Sequence, residues 1–464
     1  MLEFGDKVLV AVSGGQDSVA SIYLLLQIRN FFNLDLHVFH LDHMLRGDIS
    51  KEDAQFVKAL AEKEGLPSTI LSFDVPLYAA EKNLSVEEGA REARYMLFKK
   101  VANEIGANKV ALGHTVDDQV ETFLMCLLRG SGLKGLRAIP PVRDIFIRPL
   151  IEISRRETEE YCRAQGIEFK VDASNFEFTY LRNKIRHNLI PYLEEYNPNL
   201  KETILRTIEV VGDDERFLDE IASKEFNRVS VIKEGLIKFS LDDLKALSVA
   251  IRRRVLRMGI EILKGDLKGV EFKHIKDLLL DAEKMSKLRR DIPGQIAIIK
   301  EYNNIILIRR DLLEKRGHFE VILSGPGKIE IPELNIEFEV CITEVKGDLS
   351  SEKGILKDKF CLTKGEANLV ANLDADKVHF PIQVRNHLPG DKFFPLGLKG
   401  EKKLQDYFVD VKLPERLRDK VPIILSEGEI IWVVGHRIDD RFKVTKETQR
   451  ILNIKSQFKD NNNF

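Results

Sequence analysis

A glycine turn that follows an apolar run is the first place in this sequence where the residue types could do chemistry. Residues 7–12 are apolar enough to form a buried strand, and a helical pattern begins directly after the turn. Such a turn presents backbone N–H groups at a helix N-terminus, where the helix dipole favours an anion. The loop lacks the Gly-Lys-Ser/Thr of a Walker A motif, so backbone donors and hydroxyl groups would have to hold the phosphate. The predicted phosphate-binding residues are Ser13, Gly14, Gly15, Gln16, Asp17 and Ser18.

Asp17 is an unusual residue in a site for an anion. A carboxylate beside a polyphosphate is explained if Mg²⁺ lies between them, since Mg²⁺ is commonly bound by one or two carboxylates together with phosphates. We therefore predict that Asp17 is a metal ligand. The structural alternative is an ordinary turn between a strand and a helix.

A second group of polar residues follows the predicted strand at 109–113. His114 comes at the end of this strand, and Asp118 and Glu121 lie three residues apart on one face of the next helix. Acids in a first helical turn complement the helix dipole, which is the structural alternative. A helix cap needs only one acidic residue, however, and two acids next to a histidine would suit a cationic ligand or a metal. His114 is a candidate general base because an ordinary histidine has a pKa near neutrality.

Three arginines are candidates for contacts with phosphate. Arg94 lies three residues after Arg91, so that the two share a face of a predicted helix, although a solvated, salt-bridged face would explain that spacing equally well. Arg182 and Arg186 are four residues apart and also share a helix face. We predict that this second pair contacts the backbone of an RNA.

Alternating strand and helix patterns surround these residues. The order predicts a Rossmann-like α/β domain, in which helices cover both faces of a parallel sheet and ligands bind beyond the carboxyl ends of the strands. The phosphate loop and the acidic residues would then lie at the same edge of the sheet. The predicted strands are 7–12, 36–41, 68–73, 109–113 and 145–148, and the predicted helices are 17–30, 51–64, 86–105, 116–129 and 154–165.

Length and composition limit the class of protein. The chain has 464 residues, which is too long for one core and predicts two to four domains. Its net charge is −2, so a nucleic-acid partner would need a local basic patch. The four cysteines form no Cys-x-x-Cys pair, which argues against a structural zinc, an iron–sulfur centre or a disulfide framework. We expect no signal peptide and no membrane span, and we expect a cytoplasmic location.

The remainder of the chain predicts further domains. Residues 196–345 have a mainly helical pattern with short strands at their end, and 250–290 contain 12 Lys and Arg against six Asp and Glu. Such a patch can follow an RNA backbone, although a solvated helix face explains it equally well. We predict a linker at 346–366, a small β-rich C-terminal domain at 367–455 and a disordered tail at 456–464.

The phosphate loop resembles the Ser-Gly-Gly-x-Asp-Ser signature of the N-type ATP pyrophosphatases, the PP-loop superfamily. Further motifs make the sequence similar to the tRNA(Ile)-lysidine synthetases, in which they occur in the same order. These motifs lie at 40–46, 88–95, 113–122, 129–136, 148–150, 172–175 and 180–186. Segments between 384 and 437 resemble the C-terminal domain of the longer members, so the resemblance covers nearly the whole chain.

The resemblance implies a fold, an activity and a set of partners. Residues 1–195 would be a catalytic domain with an adenine nucleotide alpha hydrolase-like fold, and the later domains would bind tRNA. The enzyme would use ATP and Mg²⁺ to join L-lysine to C2 of the wobble cytidine of tRNA(Ile) with a CAU anticodon. The reaction would pass through an adenylated intermediate and release AMP and pyrophosphate. Some longer members suggest a homodimer. The residues that the resemblance makes catalytic are Asp17, Arg94, His114, Asp118 and Glu121.

Two alternatives stay open at the level of the sequence. One is another PP-loop enzyme that modifies tRNA or makes an amide, although a tRNA thiolase would normally carry a Cys-x-x-Cys motif or a catalytic cysteine pair. The other is a non-catalytic regulator that binds ATP without releasing pyrophosphate, which would have little use for Asp118 and Glu121. Pyrophosphate release that depends on both lysine and a tRNA with a CAU anticodon would decide among the three.

Overall fold

The structure is a computed structural model that describes residues 1–44, 48–170, 181–285, 287–314, 318–345 and 368–458. The chain divides into two compact units, Met1–Glu220 and Ile221–Phe464. None of the helices in the described ranges is long and apolar enough to cross a membrane. The predicted linker at 346–366, the motif at 172–175, and the residues Arg46 and Tyr180 lie outside the described residues.

The first unit is built on a six-stranded, mostly parallel sheet. Its strands are β1 Lys7–Ala11, β2 Asp35–Asp42, β3 Ser68–Ser72, β4 Lys109–Ala111, β5 Val142–Arg143 and β6 Phe146–Ile147. They lie in the order β3-β2-β1-β4-β6-β5, and β5 is antiparallel to β6. The strand order reverses between β1 and β4, and ligands of such sheets bind beside this reversal at the carboxyl edge. All five predicted strands are confirmed to within two residues.

Helices accompany each strand of this unit. They are α1 Gln16–Phe32, α2 Asp48–Lys63, α3 Val75–Lys82, α4 Val86–Ile105, α5 Val116–Leu128, α6 Leu133–Leu136, α7 Arg155–Ala164, α8 Leu181–Lys184 and α9 Ile190–Tyr196, with a π-helical turn at Ile185–Leu189. The long helix α10 Leu200–Val229 begins in this unit and ends in the second. All five predicted helices are confirmed to within three residues. The short helix α3 was not predicted, although Asp74 caps it and a proline occupies its first turn.

The two faces of this sheet have separate apolar cores, because successive strand residues point to opposite sides. Val8 and Val10 pack with residues of α1, α2 and α7. Leu9, which lies between them, packs with Leu97 and Phe98 of α4. Burial on both faces explains the continuous apolar pattern of the strand. It also fixes the register of the strands, and with it the position of the loops that follow their carboxyl ends.

The second unit begins with helices on a five-stranded antiparallel sheet. The strands are β7 Ser230–Lys233, β8 Leu236–Ser240, β9 Leu288–Ile292, β10 Ile296–Glu301 and β11 Asn304–Arg309, in the order β7-β8-β11-β10-β9. The helices are α11 Leu241–Ala246, α12 Val249–Lys264, α13 Phe272–Lys284 and α14 Arg310–Glu314. Helices predominate here, as predicted, but the sheet begins at residue 230 and not only near the end of this part.

Two four-stranded antiparallel sheets complete the second unit. One contains β12 Glu320–Leu323, β16 Ile382–Arg385, β19 Ile423–Ser426 and β20 Glu429–Val433; the other contains β13 Gly327–Ile331, β14 Ile336–Glu344, β15 Asn368–Asp374 and β21 Arg450–Phe458. The remaining elements are the hairpin of β17 Lys392–Phe393 and β18 Lys402–Lys403, the helices α15 Leu404–Asp410 and α16 Glu415–Arg418, and 3₁₀ turns at Pro332–Leu334 and Asp440–Phe442. Both four-stranded sheets share one apolar core, which includes Phe338 and Trp432.

The strand pairing moves two of the predicted domain boundaries. β12 pairs with β16, and β14 pairs with β21, so residues 320–344 belong with the C-terminal sheets and not with the helical part at 196–345. The last strand β21 extends to Phe458, which removes 456–458 from the predicted disordered tail; residues 459–464 lie outside the described residues. Local sequence patterns do not show which distant strand a segment pairs with, which is why these boundaries were misplaced.

Candidate active site

The turn between β1 and α1 forms the predicted phosphate loop. Gly14 has a φ of +93°, a left-handed conformation that glycine adopts without strain. The Ser18 hydroxyl accepts a hydrogen bond from the Ser13 N–H at 3.1 Å and donates one to the Gly15 carbonyl at 2.8 Å, so this side chain braces the loop. Gly15 precedes α1 without a side-chain cap. No side-chain cap therefore competes with an anion for the first N–H groups of α1.

The end of β4 comes close to this loop because residue 113 is a glycine. A Cβ atom at Gly113 would lie 3.1 Å from the Cα atom and 3.2 Å from the backbone nitrogen of Ser18. Such distances are tighter than most Cβ contacts, so a side chain at this position would push the start of α1 away by a few tenths of an ångström, and the close approach favours glycine. The phosphate loop and the start of α5 consequently lie at the same carboxyl edge of the sheet, as the predicted fold requires.

Both carboxylate oxygens of Asp17 are bound by side chains of α7. Arg155 Nε donates to Oδ2 at 3.1 Å, and Thr158 Oγ1 donates to Oδ1 at 2.6 Å. Burial raises the pKa of Asp17 above its ordinary value, although Arg155 and Thr158 oppose that shift.

These contacts do not fit the expected role of Asp17 as the ligand of a resident metal. Its oxygens already have partners, and the described residues contain no group of three His, Cys, Asp or Glu side chains that could hold a metal ion. A Mg²⁺ ion at this place would have to be held mainly by the phosphates of a nucleotide.

The first turn of α7 connects the first turns of two other helices. The Arg155 N–H donates to Asp117 Oδ2 at 2.7 Å, and Gln16 Nε2 donates to the Arg155 carbonyl at 2.9 Å. Lys201 Nζ donates to the other oxygen of Asp117 at 2.8 Å. The N-termini of α1, α5 and α7 therefore meet around Arg155. Gln16, a predicted phosphate-binding residue, uses its side-chain amide for this connection.

Asp118 and Glu121 are buried and paired with the two arginines that were predicted to bind RNA. Arg182 donates from Nη2 to Asp118 Oδ1 and from Nε to Glu121 Oε2, both at 2.6 Å. Arg186 Nε donates to Glu121 Oε1 at 2.5 Å. The other oxygen of Asp118 accepts the Thr115 N–H at 2.9 Å, so the capping alternative is present as well. Arg182 and Arg186 thus face these acids and do not form the open, phosphate-binding helix face that their spacing suggested.

Burial and neighbouring charges shift the pKa values of Asp118 and His114. Burial alone would raise the pKa of Asp118, but Arg182, His114 and the Thr115 N–H bring it below its ordinary value, so the carboxylate is ionised at neutral pH. Burial and the neighbouring arginines lower the pKa of His114 to about 4, although Asp118 opposes them. His114 is therefore neutral near pH 7 and a weak base, which removes the reason for choosing it as the general base. Its Nδ1 is buried and has no hydrogen-bond partner among the described residues.

Two further arginines lie close to His114. Arg94 is on α4, and its Nη2 is 3.5 Å from Nε2 of His43, which follows β2. Arg148 is almost fully buried and donates from Nη1 to the Pro140 carbonyl at 2.7 Å. The positive charges of both arginines lower the pKa of His114. The site therefore has a positive side as well as the acidic face of α5.

Reasoning from sequence missed Arg155, Thr158, Asp117 and Lys201. A signal was available for Arg155: it is the first residue of α7, where a positive charge opposes the helix dipole. Residues that break such a local preference are often found at functional sites. No local signal could have found Lys201, because its partner Asp117 lies 84 residues away in the sequence.

Comparison with known proteins identifies the family. Residues 3–193 match the family model described as the PP-loop domain, and 382–454 match the one described as the TilS substrate C-terminal domain. The chain is 36% identical over 455 residues to the tRNA(Ile)-lysidine synthase of Caldanaerobacter subterraneus subsp. tengcongensis, covering 98% of this chain and 94% of the relative. The chain belongs to the tRNA(Ile)-lysidine synthase family.

Two further members of the tRNA(Ile)-lysidine synthase family show the same extent of similarity. The synthase of Geobacter sulfurreducens is 37% identical over 453 residues, covering 96% of this chain and 92% of the relative. The synthase of Dehalococcoides mccartyi is 35% identical over 463 residues, covering 98% of this chain and 96% of the relative. The predicted fold class and the resemblance to this family are confirmed, and the chain is an ATP-using ligase of the PP-loop class. The two alternatives, another PP-loop enzyme and a non-catalytic regulator, are not favoured.

Proposed function

We propose that this chain joins L-lysine to C2 of the wobble cytidine of tRNA(Ile) with a CAU anticodon, as the names of its relatives and the chemistry of its site suggest. The observation that carries the proposal is the position of a phosphate loop directly beside a buried cluster of two acids and two arginines. The phosphate loop suits ATP, and the cluster suits an amino acid, which carries both an ammonium and a carboxylate group.

The proposed chemistry has two steps. The C2 oxygen of cytosine is a poor leaving group, so it first attacks the α-phosphate of ATP and displaces pyrophosphate. The ε-amine of lysine then attacks C2, and AMP leaves with the oxygen. The N–H groups at the start of α1 would stabilise the negative charge that develops on the pyrophosphate. Arg94, on the positive side of the site, would contact the α-phosphate or the adenylate.

Lysine would bind at the cluster formed by Asp118, Glu121, Arg182 and Arg186. The α-ammonium group would lie against the two carboxylates, and the α-carboxylate would pair with one of the guanidinium groups. This arrangement leaves the ε-amine free to reach the cytidine. The neutral His114 would not repel the lysine ammonium groups, and its buried Nδ1 could form one hydrogen bond to a substrate.

The second unit would bind other parts of the tRNA. Within the basic segment 250–290, the Arg253 guanidinium group on α12 lies over the Phe272 ring, 4.8 Å from its centroid. Positive side chains along such a segment can follow a phosphate backbone. A cytoplasmic location, Mg²⁺ bound with ATP, and a homodimer remain part of the proposal as predicted.

Steady-state release of pyrophosphate by the full chain tests this function. We expect release only when ATP, lysine and tRNA(Ile) with a CAU anticodon are all present, and we expect the wobble nucleoside to gain the mass of lysine minus water. A tRNA that carries uridine at the wobble position is the matched control, because it differs in one base. Equal release without lysine, or with the control tRNA, would contradict the proposal.

A further inference from the structure

Arg155 is a cation placed next to a phosphate loop that has none of its own. Residues 8–28 contain no Lys or Arg, and Lys7 pairs with Asp35 at the opposite end of β1. The loop and most of α1 therefore offer no positive side chain to a polyphosphate. The Arg155 side chain reaches this place from α7 and remains one-third exposed. Its positive charge also interacts with Asp118 and Glu121.

The contact between Arg155 and Asp17 leaves part of the guanidinium group unused. Nε donates to Asp17 Oδ2 at 3.1 Å, whereas the two Nη groups make no hydrogen bond to the residues that the structure describes. A guanidinium group can bind two oxygens of a phosphate at once, and it favours the partner with more negative charge. A polyphosphate at the loop would therefore compete with Asp17 for Arg155.

The negative charge of Asp17 makes its pairing with Arg155 important for the binding of a polyphosphate. It lies in the first turn of α1, where its negative charge would repel an entering anion if the carboxylate were not paired. The present pairing with Arg155 neutralises that charge.

We propose that Arg155 is a phosphate-binding residue that exchanges partners when ATP binds. It pairs with Asp17 before the nucleotide enters, and it pairs with the β- and γ-phosphates afterwards, so that Asp17 Oδ2 is released next to the polyphosphate. This inference rests on the proposed function, because that function assigns the polyphosphate to this loop.

The backbone of Arg155 is held independently of its side chain. Its N–H donates to Asp117 Oδ2, and its carbonyl accepts a hydrogen bond from Gln16 Nε2. Arg155→Met should therefore leave α7 attached. The next residue provides a matched control, because the Arg156 side chain is 86% exposed and pairs with Glu160 on its own helix.

The test is equilibrium binding of ATP, inorganic pyrophosphate and AMP to the full chain by calorimetry. We expect Arg155→Met to weaken the binding of ATP and pyrophosphate by about 10- to 100-fold, the range of one hydrogen-bonded charge contact. Arg155→Lys should recover part of this loss. Arg156→Met should change none of the affinities by more than about twofold. AMP, which has no β- or γ-phosphate, should bind all variants with similar affinity.

A double variant separates partner exchange from a structural role. Adding Asp17→Asn to Arg155→Met removes the carboxylate that would otherwise face the anion unpaired, so the affinity for pyrophosphate should rise again. Unchanged binding of ATP and pyrophosphate by Arg155→Met, an equal loss for AMP, or no recovery in the double variant would overturn the inference. Wild-type protein that binds neither ATP nor pyrophosphate would overturn the proposed function together with it, whereas normal wild-type binding that Arg155→Met leaves intact would overturn this inference alone.

Discussion

Replacing Glu121 by glutamine tests the charge balance at the centre of the site. Glu121 is 1% exposed and accepts hydrogen bonds from both Arg182 and Arg186. Glu121→Gln keeps the shape of the side chain and one acceptor oxygen but removes the negative charge. Arg182 would keep its contact with Asp118, whereas Arg186 would lose its ion pair with Glu121.

The expected loss of stability follows from the burial of this pair. Removing one partner of a buried ion pair costs about 3–5 kcal/mol, because the remaining charge is left uncompensated. The arginines are partly exposed, at 35% and 18% of their side chains, and Arg182 keeps a second acid. We therefore expect a smaller cost, about 2–3 kcal/mol. For a unit of the size of Met1–Glu220, this corresponds to a fall in Tm of roughly 4–12 °C.

Thermal and urea unfolding of the full chain, with a probe in the first unit, measures this loss. Glu104→Gln is the matched control, since Glu104 and Lys100 form a 3.9 Å pair in which both side chains are more than half exposed, and it should cost less than about 0.5 kcal/mol. Adding Arg186→Met to Glu121→Gln should recover part of the loss, because it removes a positive charge that Glu121 had balanced. A loss below about 1 kcal/mol for Glu121→Gln would refute the reasoning.

Three further predictions concern chemistry, pH and the phosphate loop. Asp118→Asn should abolish lysine transfer but leave tRNA binding nearly unchanged, since the amide can still cap α5; an equal loss of tRNA binding in a gel-shift assay would contradict this. Because the pKa of His114 is about 4 in the fold against its ordinary 6.5, the unfolded chain binds one more proton between these values, and stability falls as the pH falls through that window. His114→Gln should therefore lose less stability than the wild type between pH 7 and pH 4.5 in urea unfolding, and identical losses would argue against the lowered pKa. Gly113→Ala should weaken ATP binding roughly tenfold, because the added Cβ would displace the start of α1. Gly132→Ala is the control and should bind ATP normally, since residue 132 has open space around it. Equal ATP affinities of the two variants would show that the close approach at residue 113 is not required.

Much of the first unit could be predicted because its information is local. The apolar strand before Ser13, the glycine turn and the helical pattern after it define the loop and its position at the carboxyl edge of the sheet. The same alternation placed His114 and Asp118 at that edge. The C-terminal boundary could not be found in this way, since β14 pairs with β21, more than a hundred residues later in the chain.

The sequence by itself determined which helices and strands form and which polar, potentially reactive residues follow the ends of the strands. Periodicity and turn residues act over only a few positions, so a local pattern contains this information. The tertiary structure alone decided the partners of those residues. Two arginines four positions apart have the same spacing whether they face an RNA or the buried Glu121, and only the packing of α8 and the π-helical turn against α5 selects the acid. In the same way, Asp17 meets Arg155 across 138 residues of sequence. Charge, burial and pKa depend on such distant neighbours, which no local pattern contains.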